Sequence, residues 1–438
     1  MATPTGTRSN RWSMRIALAL ASVGMTALLA EFAVRAVMPA GRLLSPTAIE
    51  VFAERAAREA TMIRADDELG HAPVLGGPWY DERGALRTSP RIDGEGPETQ
   101  FVFLGDSVTR RGSLVNPLAA MWDGGKATFW NAGVESWNPV QEVAGWFRSQ
   151  RAIAPQRVVL TLHNNDLTES TVACLRSGKL TLCNPGSFVP IDPAAYRRSI
   201  LYELLIHFRH TDRLRPEHYT FREREVESAL QRLRDDVAQS GAELSIVLLP
   251  IFAKSNAWQE HERRAREREL ELLASLRIPF VDLQPVCDEI TSAGLTVRIV
   301  ETDPYHPDDA CGAMLAFAAS DLVLGPGPVR AVAESLVVAI GNKQRIAIDA
   351  FATHRGRDVA LLPCGNDALP QRELDAKAIA SAERFRLDDA GRVHAEIAVP
   401  LGAQHGDLRW HRPVVLDDTG AIVARGRAVP LRVAATVR

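Results

Sequence analysis

At 438 residues, 46% hydrophobic and 24% charged, the chain has room for two folded domains and is too apolar to be disordered. A formal net charge of -3 supplies no basic face, which argues against a nucleic-acid partner. The five cysteines suit an oxidising compartment without forming a disulfide scaffold, and no Cys/His set stands at metal-ligand spacing, so no metal or cofactor is expected.

At the N-terminus, Arg8, Arg11 and Arg15 precede an uncharged run over residues 16–30, and the apolar character continues past Glu31 and Arg35 to Met38. This predicts a membrane helix with its N-terminus in the cytoplasm and the rest of the chain outside. Glu31 and Arg35 are spaced i,i+4, acid first, so they can pair near the outer boundary, with Arg35 reaching towards headgroups. A cleaved signal peptide is the competing reading. A cut after Ala30 would place Leu28 where a small residue is needed, which favours an uncleaved anchor over residues 1–40.

Residues 41–98 read as a stalk and lead-in, helical near 47–61 and then broken by Gly, Pro and Asp. From Thr99 the pattern changes to α/β. Short apolar runs at 100–104, 128–131, 157–162, 243–249 and 279–283 are too short for helices and suit buried parallel strands. Helical patterns lie between them. The one over 221–239 places Val226, Leu230, Leu233 and Val237 on one face, and others cover 258–276 and 308–324. Alternation of this kind predicts a doubly wound parallel sheet over 99–324, with its site beyond the carboxyl ends of the strands. The long connection over 169–218 is expected to be a lid or substrate wall. It contains Cys174 and Cys183, the first candidate disulfide; Cys287 and Cys311 are the second, and Cys364 is left over.

After the Gly-Pro-Gly-Pro break at 325–328, alternating segments and Gly turns predict a small β-rich domain over 329–438. A packing role is favoured there over carbohydrate binding, for which Trp410 and His411 would be the exposed candidates.

Four polar pieces fall at the ends of predicted strands or beside the final helix. Gly105-Asp106-Ser107 follows the first strand, where a tight turn into a helix would expose the Ser107 hydroxyl and aim its N–H at a developing oxyanion. Asn131-Ala132-Gly133 follows the second, where glycine lets the backbone approach a reacting carbonyl. His163-Asn164-Asn165-Asp166 follows the third, and an Asn amide there can donate to an oxyanion. Asp303 and His306, three residues apart ahead of the last helix, can form a carboxylate–imidazole pair that takes the serine proton. Singly, each is a turn, a cap or surface polarity. Together, in order and at one sheet edge, they predict one active site.

The order Gly105-Asp106-Ser107, Gly133, Asn165 and Asp303-x-x-His306 resembles the four blocks of the SGNH/GDSL hydrolases. The resemblance spans roughly residues 99–324. Asn131–Gln141 and the stretch SILYELL over 199–205 are similar to membrane-anchored, exported members. It implies a flavodoxin-like SGNH fold with Ser107 as nucleophile, His306 as base and Asp303 as its orienting partner. The Ser107 and Gly133 N–H groups and the Asn165 amide would form the oxyanion hole. One departure is His163, which stands where the third block has Gly. The expected function is a serine esterase acting on acyl esters, with envelope carbohydrate as a candidate substrate. Passing the acyl group to a sugar hydroxyl would make it an O-acyltransferase. A non-catalytic tethered scaffold is the remaining alternative.

Overall fold

The computed structural model describes residues 8–37, 46–163, 166–167, 172–211, 216–300, 303, 305–365, 379 and 382–435. They divide into two compact units: Met1–Ala72 with Thr171–His218, and Pro73–Ser170 with Tyr219–Arg438.

The first unit holds the helix Arg8–Val37, whose Trp12–Ala36 portion, of mean hydropathy 1.9, is long and apolar enough to cross a membrane. It also holds the helix Pro46–Glu59 and three antiparallel strands, Val172–Arg176, Lys179–Asn184 and Ser187–Pro190. Helices Pro193–Arg198 and Ile200–Thr211 complete it. Ala56, Leu180, Val189, Ile191, Tyr196 and Ile206 form its small core.

The second unit is built on a six-stranded sheet: β1 (Arg91–Ile92), β2 (Thr99–Leu104), β3 (Ala127–Asn131), β4 (Arg157–Leu162), β5 (Glu243–Leu248) and β6 (Phe280–Asp282). Its spatial order is β6-β5-β4-β2-β3-β1, with every pair parallel except the short edge strand β1. The five parallel strands lie where the apolar runs predicted them. Their side chains alternate between two cores, as the pleat requires. Phe101 and Phe103 pack on one face with helices Val115–Met121, Gln284–Ser292 and Asp309–Leu324. Val102 and Leu104 pack on the other with helices Pro139–Arg148, Pro216–Gln239 and Glu260–Leu276. Helices therefore cover both faces, as in a doubly wound sheet, and β2 and β4 flank the point where strand order reverses.

The C-terminal part is β-rich. A three-stranded sheet (Arg330–Ala333, Lys343–Asp349, Arg392–Ala398) faces a larger one built around Leu408–Leu416, and Ile346 and Ile348 pack against Val359, Val415 and Val429. It is not an appendage. Leu336, Leu408, Trp410 and Ala434 share one core with the helix Asp309–Leu324.

Two expectations are corrected here. Trp410 is fully buried in that shared core, and burial pulls His411 down to about 4, so neither is an exposed ligand contact. The five cysteines are free buried thiols. Cys174 and Cys183 are not directly opposed in their hairpin, because Cys174 faces Thr181 while Cys183 faces Val172. A hydrogen bond between the two thiols raises that of Cys174. Cys287 and Cys311 lie in the core of the second unit, where burial pushes Cys287 up to about 12.

Candidate functional site

β2 ends at Leu104, and the chain turns sharply through Gly105 at φ +156°. A Cβ at Gly105 would stand 2.1 Å from Thr161 Oγ1 and 2.2 Å from Thr109 Oγ1, so only glycine fits. Asp106 then caps the short helix Ser107–Arg110, its Oδ1 accepting from the Val108 N–H at 2.8 Å. Ser107 is thereby fixed as the first helical residue. Its N–H has no hydrogen-bond partner among the described residues.

The second contribution arrives from 199 residues further along the chain. His306 Nε2 lies 2.8 Å from Ser107 Oγ, and His306 Nδ1 lies 2.7 Å from Asp303 Oδ2. With the Nδ1 proton donated to Asp303, Nε2 is left to accept the hydroxyl proton. Partial burial would raise the Asp303 carboxyl, but the Tyr305 N–H, at 3.0 Å from Oδ1, and the His306 ring together hold it below its ordinary value. The carboxylate therefore stays charged and can stabilise an imidazolium. The hydroxyl, imidazole and carboxylate are thus aligned as a nucleophile, base and orienting group would be.

Gly133 lies against the short helix that begins at Ser107. A Cβ there would meet Arg110 N at 2.3 Å and Asp106 O at 2.9 Å, and its carbonyl accepts from the Tyr80 hydroxyl at 2.8 Å. Its N–H donates to Asn131 Oδ1 at 3.0 Å, and the Asn131 amide donates in turn to Thr109 O at 2.6 Å. Asn131 thus ties the end of β3 to the helix that carries Ser107. Asn165, with Asn164, lies outside the described residues. His163 is buried, with its ring 5.5 Å from that of Tyr305, edge to face, and 6.2 Å from that of Phe252. Its ring thus touches the residue next to His306 and is closed off from solvent.

Sequence reasoning did not single out several neighbours of the site. Tyr80 and Asn131 hold Gly133, and Arg110 pairs with Glu135 beside Asp106. Burial pushes Asp106 up to about 6 and raises Glu142 and Asp166 well above the ordinary carboxylate range, with mutual repulsion adding to it. Among the described residues neither Glu142 oxygen has a hydrogen-bond partner. A lone acid in an apolar helix pattern carries no mark of such burial. Among the described residues no cluster could hold a metal ion.

No protein-family model matches the sequence, and no curated protein matches it. Among solved structures, the chain is similar to Axe2, an acetylxylan esterase from Geobacillus stearothermophilus. That alignment has 17% identity over 53% of this chain and 96% of that one, with a TM-score of 0.36. BT4096, a gut microbial diltiazem-metabolizing enzyme, aligns at 12% identity over 66% of this chain and 63% of its own, with a TM-score of 0.37. LAE5, an alpha/beta hydrolase enzyme from the metagenome of Lake Arreo, Spain, aligns at 16% identity over 54% and 99%, with a TM-score of 0.35.

Proposed function

We propose that this chain is a membrane-anchored serine esterase of SGNH/GDSL type, on a flavodoxin-like sheet, that cleaves acyl esters of cell-envelope glycans on the outer side of the membrane. The observation that carries the reading is the continuous relay from Ser107 Oγ through His306 to Asp303, with both hydrogen bonds under 3 Å. In this reading Ser107 attacks the ester carbonyl while His306 takes its proton, and Asp303 stabilises the imidazolium that forms. The tetrahedral oxyanion is met by the free Ser107 N–H at the helix start, by the Gly133 N–H and by the Asn165 amide. For Gly133 this requires the N–H to be shared with Asn131 Oδ1. His306 then protonates the departing alcohol, and water, activated by the same imidazole, releases the acid.

The test is hydrolysis of p-nitrophenyl acetate and butyrate by the purified protein and by Ser107→Ala. Activity in the first that is absent in the second supports the esterase. Equal activity in both, or none with any acyl donor, overturns it. Adding acetylated and unacetylated glycans to the same assay separates hydrolysis from transfer, because a transferase acylates the added hydroxyls.

A further inference from the structure

In the first unit, one carboxylate of the N-terminal helix is bonded to a segment almost 170 residues away. Glu31 Oε2 accepts from Ser199 Oγ at 2.9 Å and from the Leu201 N–H at 3.0 Å. Glu31 Oε1 accepts from the Ile200 N–H at 2.9 Å and from Arg35 Nε at 2.7 Å. Arg35 Nη2 completes the junction by donating to the Arg198 carbonyl at 2.7 Å. Glu31 therefore caps the helix Ile200–Thr211 as a side chain at that helix's own N-cap would, satisfying two of the amides that a helix start leaves open.

This junction sets a depth. The uncharged run over 16–30 rises only about 22 Å as helix, short of the ~30 Å hydrocarbon thickness. With Trp12–Arg15 added on the inner side, Arg15 reaching back to the headgroups, the stretch ahead of Glu31 approaches that thickness and leaves Glu31 at the outer interface, where four donors satisfy its carboxylate. The start of Ile200–Thr211 lies at the same level because it is bonded to Glu31. At 12 residues that helix is too short to cross a bilayer. Ile206 enters the core of the unit and Ile200 is buried, while Leu205 is 48% exposed and Leu201 and Leu204 are half-buried.

We infer that the helix Ile200–Thr211 is a second membrane contact, lying in the headgroup layer beside the anchor with Leu205 towards lipid and held there by Glu31. The inference rests on the anchored reading above and extends it. The N-terminal helix is a structural part of the exported unit, and its removal as a signal peptide would leave the Ile200 and Leu201 N–H groups without their acceptor, with only the Ser199 hydroxyl still capping the helix through the Tyr202 N–H. The segment expected as a lid or substrate wall is thereby tied to the membrane surface.

The test uses the full-length chain with a benzophenone amino acid at position 205, reconstituted in phosphatidylethanolamine/phosphatidylglycerol vesicles and irradiated. A lipid adduct is expected at position 205 and not at position 423, an exposed apolar site in the β-rich part. Glu31→Ala should cut the adduct by about five-fold, the order expected for losing a helix cap, while the chain still resists alkaline extraction. Glu31→Gln, which keeps an acceptor oxygen, should retain more of it. A chain that resists extraction yet gives no adduct at position 205 overturns the inference and leaves the anchor standing. A soluble chain lacking its first 30 residues overturns the anchor itself.

Discussion

Arg432 reaches from a strand near the C-terminus to Asp308, two residues beyond His306, with Nη2 3.3 Å from Oδ2 and Nη1 2.8 Å from the Thr296 carbonyl. Asp308 in turn caps the helix Asp309–Leu324 and takes the Thr296 hydroxyl at 3.1 Å. The two ends of the loop that carries Asp303 and His306 are therefore clamped by one guanidinium from the β-rich part. Its side chain is only 5% exposed, so water competes little with these bonds.

From that clamp follows a positioning role. Arg432→Ala should lower kcat on p-nitrophenyl acetate by about 10²-fold with little change in KM, since displacing a reacting group by an ångström has that effect. Arg432→Lys should recover only part of it, because an ammonium cannot make the forked contact. A KM effect with kcat intact would show that Arg432 shapes binding and not the geometry of His306.

Asp303 should matter for chemistry and little for binding. Asp303→Asn preserves shape but no longer favours the Nδ1–H tautomer or stabilises imidazolium, so kcat should fall by about 10⁴-fold. Because the Asp303 carboxyl is held below its ordinary value, its contribution is complete above the normal carboxylate range and is lost only as pH falls below it. A kcat for Asp303→Asn within a few-fold of wild type would remove Asp303 from the relay.

Stability should run the other way with pH. Burial pushes Glu269 up to about 8 even though Arg266 Nη1 stands 3.7 Å from its Oε2, and among the described residues neither of its oxygens has a hydrogen-bond partner. The folded chain keeps this proton where the unfolded chain releases it, so folding weakens as pH rises from about 4.5 to about 8. Thermal melts across that window should show the midpoint of Glu269→Gln, which is neutral throughout, declining less than that of wild type. Parallel declines would show that Glu269 does not contribute to the slope.

Gly133 tolerates no side chain. In Gly133→Ala the new methyl would stand 2.3 Å from the Arg110 amide, so the backbone behind Ser107 must shift. Overpacking of this kind costs about 1–3 kcal/mol, and both melting temperature and esterase activity should fall. An unchanged melting temperature with full activity would mean that the nucleophile helix yields freely.

The layer architecture was legible because it rests on local regularities. The five parallel strands are short apolar runs too brief for helices, and that length is read from the sequence whatever the tertiary context. The Gly-Asp-Ser turn and the Asp-x-x-His pair were legible for a related reason: a strand end, a cap and a three-residue spacing are local, and the doubly wound rule carries them to one sheet edge. Trp410 was misread because an aromatic in an alternating strand has the same pattern whether its face meets solvent or another core. The buried Glu142 and Glu269 were invisible for a similar reason, since charged residues on amphipathic helices usually face water.

The chain by itself determined where its five parallel strands lie, which residues could act as nucleophile, base and acid, and that its first segment suits a membrane. Only the tertiary structure decided that His306 reaches Ser107, that Arg432 holds the loop that carries Asp303 and His306, and that Glu31 caps a helix nearly 170 residues away. Each of these is a hydrogen bond or ion pair between groups distant in sequence. No periodicity encodes such contacts, because they form only when packing has closed the intervening chain.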